Sequence, residues 1–185
     1  MRRKNETGDT MMDYMVEALL LLMKEKSYDR IKISEITERA GVDRTTYYRH
    51  FHSKEEILER YLRGLNTEFM EEYRSSGKSD LQAYMLTIFQ VYYAHREELL
   101  LILKAGCASP LLPVLEEGFH FEEYRKNAFV KKQYEVSYII GGIYNNLLFW
   151  LSRGMQETPE EMSAIALSYR PEGSLTMLNA SWIPV

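Results

Sequence analysis

Apolar residues recur at helical spacing through most of the chain. The first such stretch predicts a helix from about residue 11 to residue 26, and its apolar side is formed by Met12, Met15, Val16, Leu19, Leu20 and Met23. The same kind of pattern predicts further helices over about 33–40, 44–51, 53–73, 79–95, 97–105, 111–126, 130–156 and 158–169. No strand pattern of any strength appears. The sequence therefore predicts an all-α fold of about nine helices.

The second and third predicted helices are separated by a very short turn. Gly41 can adopt the positive φ that such a turn requires, and Asp43 can cap the helix that follows with its carboxylate. In that helix Tyr47 and Phe51 are four residues apart and are predicted to face a core. Other faces carry polar residues at the same spacing, namely Arg44, Tyr48 and His52 on one and Thr45 and Arg49 on another. Arginines, hydroxyls and an aromatic ring on an exposed helix suit phosphates and base edges.

Capping signals and a polar linker divide the remainder of the chain. Two capping boxes are predicted, at Ser53 with Glu56 and at Ser79 with Gln82, and Thr158-Pro159-Glu160-Glu161 is a third start signal. The linker Ser75-Ser76-Gly77-Lys78-Ser79 lies just after a long helix that can join a small domain to a larger one. We predict a small domain over residues 1–60, a larger helical domain over 61–170, and a tail over 171–185 that the pattern does not place.

Charge is unevenly distributed along the chain. The net charge is −4, but residues 1–64 hold 13 Lys and Arg against 12 Asp and Glu, whereas residues 65–185 hold 10 against 15. The relatively basic third therefore coincides with the polar helix face. Residues 1–10 are open to two interpretations: a solvated tail, or an arm whose arginines contact phosphates or a minor groove.

Cysteine content and hydropathy bear on the compartment. Cys107 is the single cysteine, so no intrachain disulfide is possible, which fits a reducing, cytoplasmic setting. No signal peptide is evident, and the uncharged run at 136–152 is shorter than the ~20 residues of a membrane span. We expect a cytoplasmic protein without a membrane segment.

The central stretch resembles the DNA-binding domain of TetR-family transcriptional regulators. The resemblance covers about residues 11–60. It rests on Ile33-Ser34-Glu35-Ile36, Ala40-Gly41-Val42-Asp43 and Arg44-Thr45-Thr46-Tyr47-Tyr48-Arg49-His50-Phe51-His52-Ser53-Lys54-Glu55-Glu56. Two positions depart from the family pattern: Lys32 stands where threonine is usual, and Asp43 where serine is commoner. The resemblance implies a helix-turn-helix, a homodimer on a palindromic operator, and a carboxy-terminal ligand-binding and dimerisation domain.

Site roles follow from this resemblance position by position. It implies base readout by Arg44, Thr45, Thr46 and Arg49, and phosphate contacts from Tyr48, His50 and Lys54. Lys32 and Ser34 lie at the amino end of the second helix, where N–H groups and the helix dipole can receive a further phosphate. Ordinary helix-start polarity explains these two residues equally well.

The carboxy-terminal half resembles the regulatory domain of a Firmicutes-type subgroup of the family. The similarity lies in Tyr138-Ile139-Ile140-Gly141-Gly142-Ile143, Phe149-Trp150-Leu151-Ser152-Arg153-Gly154-Met155 and Thr158-Pro159-Glu160-Glu161-Met162. It does not name the ligand. Ligand-binding candidates are Tyr84, Tyr92, His95, Tyr124, Tyr138 and Asn145. A dimer interface is predicted at Tyr138, Gly141, Gly142, Asn145 and Phe149, because close approach of a partner helix would offset the two helical glycines.

Enzymatic and metal-binding functions find no support in the pattern. His50 and His52 are two residues apart on a helix and diverge, and no acidic or cysteine set accompanies them at metal spacing. No Gly-rich phosphate loop or nucleophile–base pair appears. We expect no cofactor, no metal and no catalysis. The favoured hypothesis is a repressor released from DNA by a small-molecule effector, and the alternative is a ligand-independent DNA-binding or protein-interaction regulator of the same fold.

Overall fold

The computed structural model of the chain describes residues 2–78, 80–118 and 130–169. These ranges contain nine α-helices and no strand, which confirms the all-α prediction. The helices are α1 (Arg2–Glu25), α2 (Ile33–Ala40), α3 (Arg44–His50), α4 (Lys54–Ser75), α5 (Leu81–Ala94), α6 (Arg96–Lys104), α7 (Leu111–Gly118), α8 (Val130–Ser152) and α9 (Pro159–Ser168). The end of the helix predicted over 111–126, the candidate Tyr124 and the tail 171–185 fall outside the described residues.

The helices form two compact units. The head unit consists of the described residues up to 62 together with 101–110. In this unit α1 packs on α2 and α2 packs on α3, and the buried centre includes Met15, Leu19, Ile36, Tyr47 and Leu58. Burial of such large apolar side chains is the main favourable contribution to folding.

Helix α1 begins far earlier than predicted. The structure starts it at Arg2 rather than near residue 11. The added turns are polar, so they carry no apolar pattern from which a helix could be recognised. Arg60 on α4 pairs with Asp9 in these added turns at 3.5 Å, and it also donates to the Asp13 carboxylate through Nε at 3.0 Å and Nη2 at 2.8 Å.

The body unit consists of the described residues in 63–100 and 111–169. Within it α5 packs on α9 and α7 packs on α8. Its core is aromatic: Tyr84 meets Phe69 edge-on at 4.8 Å between ring centroids, and Phe89 meets Trp150 edge-on at 5.6 Å. Edge-to-face pairs of this kind add to the stabilisation from burial alone. None of the helices within the described ranges is long and apolar enough to cross a bilayer.

Three helix starts show how far capping signals can be interpreted from sequence. The box at Thr158 and Glu161 forms as predicted, because each side chain accepts the other residue's N–H, at 3.2 and 2.8 Å. At α4, Ser53 accepts the Glu56 N–H at 3.3 Å, but the Glu56 carboxylate reaches back to the N–H of His52 instead of Ser53. At α5 the N-cap is Asp80, whose carboxylate accepts the N–H of Ala83 at 2.8 Å, while Ser79, the predicted cap, lies outside the described residues.

Candidate DNA-binding interface

The turn between α2 and α3 is built around Gly41. Its φ of 65° lies in the left-handed region, as predicted, and its N–H donates to the carbonyl of Glu38. The next N–H, of Val42, donates to the carbonyl of Thr37 at 2.9 Å. This closes α2 and turns the chain so that α3 starts three residues later.

Asp43 does not cap α3 in the predicted way. It occupies the N-cap position with extended backbone, but its exposed carboxylate accepts no capping hydrogen bond. Its carbonyl instead accepts the N–H groups of Thr46 and Tyr47, at 2.9 and 3.3 Å. The prediction of a side-chain cap is therefore wrong, because in this geometry the backbone alone starts the helix.

Helix α3 separates a buried side from an open one. Tyr47 and Phe51 are buried, which confirms their predicted place in the core. The ring of Tyr48 meets that of Tyr47 edge-on, with 5.1 Å between the ring centroids, and Tyr48 is 60% exposed. On the same helix Arg44, Thr45 and Arg49 are exposed, while Thr46 and His50 are half-buried. The open side thus combines two cations, hydroxyl groups and an aromatic ring, which can bind phosphates and hydrogen-bond base edges.

Burial of the Tyr47 side chain keeps its hydroxyl protonated. Burial, and next the neighbouring Tyr48, raise the pKa of Tyr47 to about 12. Its hydroxyl has no hydrogen-bond partner among the described residues. The ring of Tyr47 therefore packs on the buried side of α3, and polar contacts are available to the residues on the open side.

Ion pairs at both ends of α2 join it to Glu25, the last residue of α1, and to Lys26, which follows it. Lys26 pairs with Glu35 near its start, and Arg39 pairs with Glu25 at 2.7 Å near its end. Glu35 also accepts the N–H of Lys32 at 2.9 Å. The hydrogen bond from Lys26, followed by that from Lys32, lowers the pKa of Glu35. The start of α2 is therefore fixed by Lys26 and by its own capping contact.

The two candidate phosphate contacts at this helix start differ in exposure. Lys32 is exposed at the N-cap, and Ser34 is half-buried in the first turn, where its carbonyl accepts the hydroxyl of Thr37. Lys54, another candidate phosphate contact, is half-buried and engaged within the head unit. Its ammonium donates to the carbonyls of Tyr28 and Ile31, a contact that the sequence did not predict because these residues are more than 20 positions away.

The predicted ligand residues of the body unit are dispersed. Tyr84 and Tyr92 are buried on α5. His95 occupies the C-cap position of α5, and its Nε2 lies 2.9 Å from a carboxylate oxygen of Glu68. Tyr138 and Asn145 are exposed on α8. The structure does not bring the described members of this set together around one site.

The predicted dimer residues share one exposed side of α8. Tyr138 is 72% exposed and Phe149 is 64% exposed, and Gly142 and Asn145 are exposed between them. Gly141 is half-buried and its carbonyl accepts the Asn145 amide at 2.8 Å. A Cβ at Gly141 or Gly142 would meet no atom of the described chain within 4 Å.

The described part of the chain contains neither a candidate metal site nor a thiol in a reactive environment. It contains no group of three or more His, Cys, Asp or Glu side chains that could hold a metal ion. Cys107 is buried, and burial raises the pKa of its thiol. Because the thiolate is the reactive form, this environment disfavours a redox role.

Comparison with known proteins gives a family for the head unit. Residues 16–61 match the family model of bacterial regulatory proteins of the tetR family. A comparison with curated protein sequences finds no match.

Two solved structures share the fold over most of the chain. One is the fatty acid degradation regulator FadR from Bacillus halodurans, with a TM-score of 0.51 and 16% identity over 85% of this chain and 93% of that one. The other is a tetR-family transcriptional regulator from Streptomyces coelicolor, with a TM-score of 0.52 and 18% identity over 90% of this chain and 89% of that one.

The matched segment contains the Gly41 turn and the open side of α3 described above. Residues 16–61 therefore form a domain of the tetR family of bacterial regulatory proteins.

Proposed function

We propose that the chain is a repressor that binds a palindromic operator as a homodimer and is released by a small-molecule ligand in the body unit. The observation that carries the DNA-binding part is the open side of α3, where Arg44, Thr45 and Arg49 are exposed above the buried Tyr47. In this proposal these residues and Thr46 contact base edges in the major groove. Tyr48 and His50 contact phosphates, together with Lys32 and Ser34 at the start of α2.

The dimer proposal is supported by the exposed apolar side of α8. Val130, Tyr134, Tyr138 and Gly142 follow one another at four-residue spacing and Phe149 continues the stripe. Exposed apolar surface of this kind marks interaction sites on soluble proteins. Symmetric dimers also explain how one short helix suffices, since two copies can contact half-sites ~34–36 Å apart.

The ligand proposal is supported by an unusual hydroxyl in the body unit. Tyr92 is fully buried, yet its hydroxyl has no hydrogen-bond partner among the described residues. A buried polar group without a partner is costly, so a ligand that supplies one would bind favourably. Helix α4 runs from Lys54 to Ser75 and contributes residues to both units, so a ligand that shifts it would disturb the DNA-binding heads. A hundred-fold release requires ~2.7 kcal/mol of differential affinity.

A ligand-independent regulator of the same fold is the alternative. In that case the hydroxyl of Tyr92 belongs to a permanently closed core, and no small molecule changes operator affinity. The two proposals differ in a direct experiment. A compound library is screened for release of a labelled operator, and hits are repeated with Tyr92→Phe. Loss of response in that variant supports the ligand site, and a complete absence of hits from a broad library favours the alternative.

The DNA-binding part is tested by selection of duplexes from a random library. The wild-type protein should enrich palindromic sequences. Arg44→Ala and Arg49→Ala should each relax the base preference at defined positions, with a loss of about 1–3 kcal/mol per contact. Arg74→Ala, an exposed arginine in the body unit, is the control and should leave the selected sequence unchanged. Enrichment of identical sequences by wild type and both α3 variants would refute these roles.

A further inference from the structure

We infer that Lys54 is a positioning residue for DNA binding, which holds the connector between α1 and α2 through its ammonium group and thereby fixes the helix-turn-helix. This inference rests on the proposed DNA-binding function and assigns to Lys54 a different role from the phosphate contact that the family resemblance implies.

The connector is a tight structure with two carbonyls directed at one point. Tyr28–Arg30 forms a 3-10 turn, in which the N–H of Ile31 donates to the carbonyl of Tyr28 at 3.0 Å. The carbonyls of Tyr28 and Ile31 both accept from Nζ of Lys54, at 2.8 and 3.0 Å. The second of these carbonyls immediately precedes Lys32, the N-cap of α2. The lysine therefore holds the chain at the point where α2 begins.

The ring of Tyr28 forms the third side of the ammonium site. Nζ of Lys54 lies 4.2 Å from the ring centroid, within the range of a cation–π interaction. A lysine ammonium has three donors, and two of them are used by the carbonyls. A phosphate would have to compete with these two acceptors and with the ring for the same charge. The geometry therefore favours an internal role over a contact with DNA.

The connector is anchored on its other side as well. Tyr28 and Ile31 are buried in the head unit. Burial, and next the neighbouring Glu55 carboxylate, raise the pKa of the Tyr28 hydroxyl well above its ordinary range, with Cys107 a further neighbour. Tyr28 is thus surrounded by the first turn of α4 and by the segment around Cys107. Loss of the lysine would release one side of this arrangement and let the start of α2 shift.

The test compares Lys54→Met and Tyr28→Leu with wild type on a selected operator duplex. Fluorescence anisotropy gives the dissociation constant between ~0.05 and ~0.2 M NaCl, and circular dichroism at the same temperature shows that each variant is folded. A phosphate contact contributes about 0.9 to the slope of log affinity against log salt. We expect both variants to weaken binding about tenfold with the wild-type slope, because neither removes a contact to DNA.

Two further variants complete the comparison. Lys32→Met removes an exposed lysine at the same helix start and should reduce the slope by about 0.9 if it contacts a phosphate. Tyr28→Phe keeps the ring under the ammonium and should bind like wild type. The double variant of Lys54→Met with Tyr28→Leu should lose less than the sum of the two single losses, because the residues act on one connector.

Four results would overturn the inference. One is a slope that falls by about 0.9 in Lys54→Met while Tyr28→Leu binds normally, since that identifies a phosphate contact. Another is a lower melting temperature with unchanged affinity of the folded variants, since that identifies a role in stability alone. If Lys54→Met does not fold, Tyr28→Leu decides, and unchanged affinity there refutes the inference. Failure of wild type to select any duplex would instead refute the proposed function and this inference with it.

Discussion

Tyr47 and Tyr92 each carry a buried hydroxyl that the described structure leaves without a partner. Tyr47 supports α3 in the head unit and Tyr92 lies in the core of the body unit. Removing such a hydroxyl while keeping the ring eliminates the cost of desolvating it and leaves the packing intact. Tyrosine at these positions is therefore not explained by stability.

We predict that Tyr47→Phe and Tyr92→Phe each raise the free energy of unfolding by about 1 kcal/mol, within the ~1–3 kcal/mol range for an unsatisfied buried group. Urea denaturation of the purified protein measures the effect. Tyr48→Phe is the matched control, since its ring is exposed and the change should stay within about 0.5 kcal/mol. Destabilisation by Tyr92→Phe would mean that its hydroxyl is bonded, for example to an internal water.

At the scale of elements, local signals predicted the second and third helices well. Gly41 and the alternating faces of α3 are short-range features, so the sequence indicates both the turn and the open side. Interactions across the chain could not be predicted in this way. The Arg60–Asp13 pair and the carbonyls held by Lys54 join residues far apart in sequence, and they depend on how α1 and α4 pack.

The helix starts show a second limit of local pattern. Ser79 and Asp80 are adjacent residues that can both cap a helix, and the spacing to Gln82 favoured Ser79, whereas Asp80 occupies the N-cap position. The body unit was harder still: its apolar residues indicate helices but not which side chains share a pocket. The described members of the predicted ligand set therefore lie on α5, at its C-cap His95 and on α8, and the sequence pattern could not relate them.

The ion pair between Lys26 and Glu35, which holds the start of α2, leads to a prediction about the pH dependence of stability. Its pKa is lowered in the folded state below the ordinary 4.5, so its stabilising contribution is present above that value and is lost as pH falls through the folded pKa. We predict that Glu35→Gln lowers stability near neutral pH and that the difference from wild type shrinks below about pH 4.5. Thermal unfolding across this range measures it.

The control for that experiment is Glu38→Gln, an exposed carboxylate on the same helix. It should leave the stability curve of wild type essentially unchanged. A difference between wild type and Glu35→Gln that stays constant from neutral to acidic pH would contradict the role assigned to the Lys26–Glu35 pair.

At the scale of the whole molecule, the proposal requires two copies of the chain. We predict a dimer at micromolar concentration and its dissociation by Tyr138→Glu, because a charge would then lie on the apolar side of α8. Sedimentation velocity over a range of concentrations measures this. Tyr14→Glu changes another exposed tyrosine, on α1, and should leave the dimer intact.

Substitution of Gly142 on α8 gives a second test of the dimer interface. Alanine at Gly142 should favour the helix by roughly 1 kcal/mol, as it should at Gly64 within α4, because neither position is crowded in the described chain. If a partner helix approaches closely at Gly142, only that variant should weaken the dimer. A wild-type protein that sediments as a monomer would refute the interface.

The proposed function depends on recognition of specific DNA sequences by α3. Enrichment of sheared genomic DNA by the purified protein, beside a Tyr48→Ala, Arg49→Ala double variant and an Arg74→Ala control, tests it most directly. We predict that wild type and Arg74→Ala recover the same few palindromic fragments at ~0.1 M salt and that the double variant recovers none of them, since it removes an aromatic ring and a cation from the open side of α3. Equal recovery by the double variant, or no enrichment by folded wild-type protein, would refute recognition of specific DNA sequences by α3.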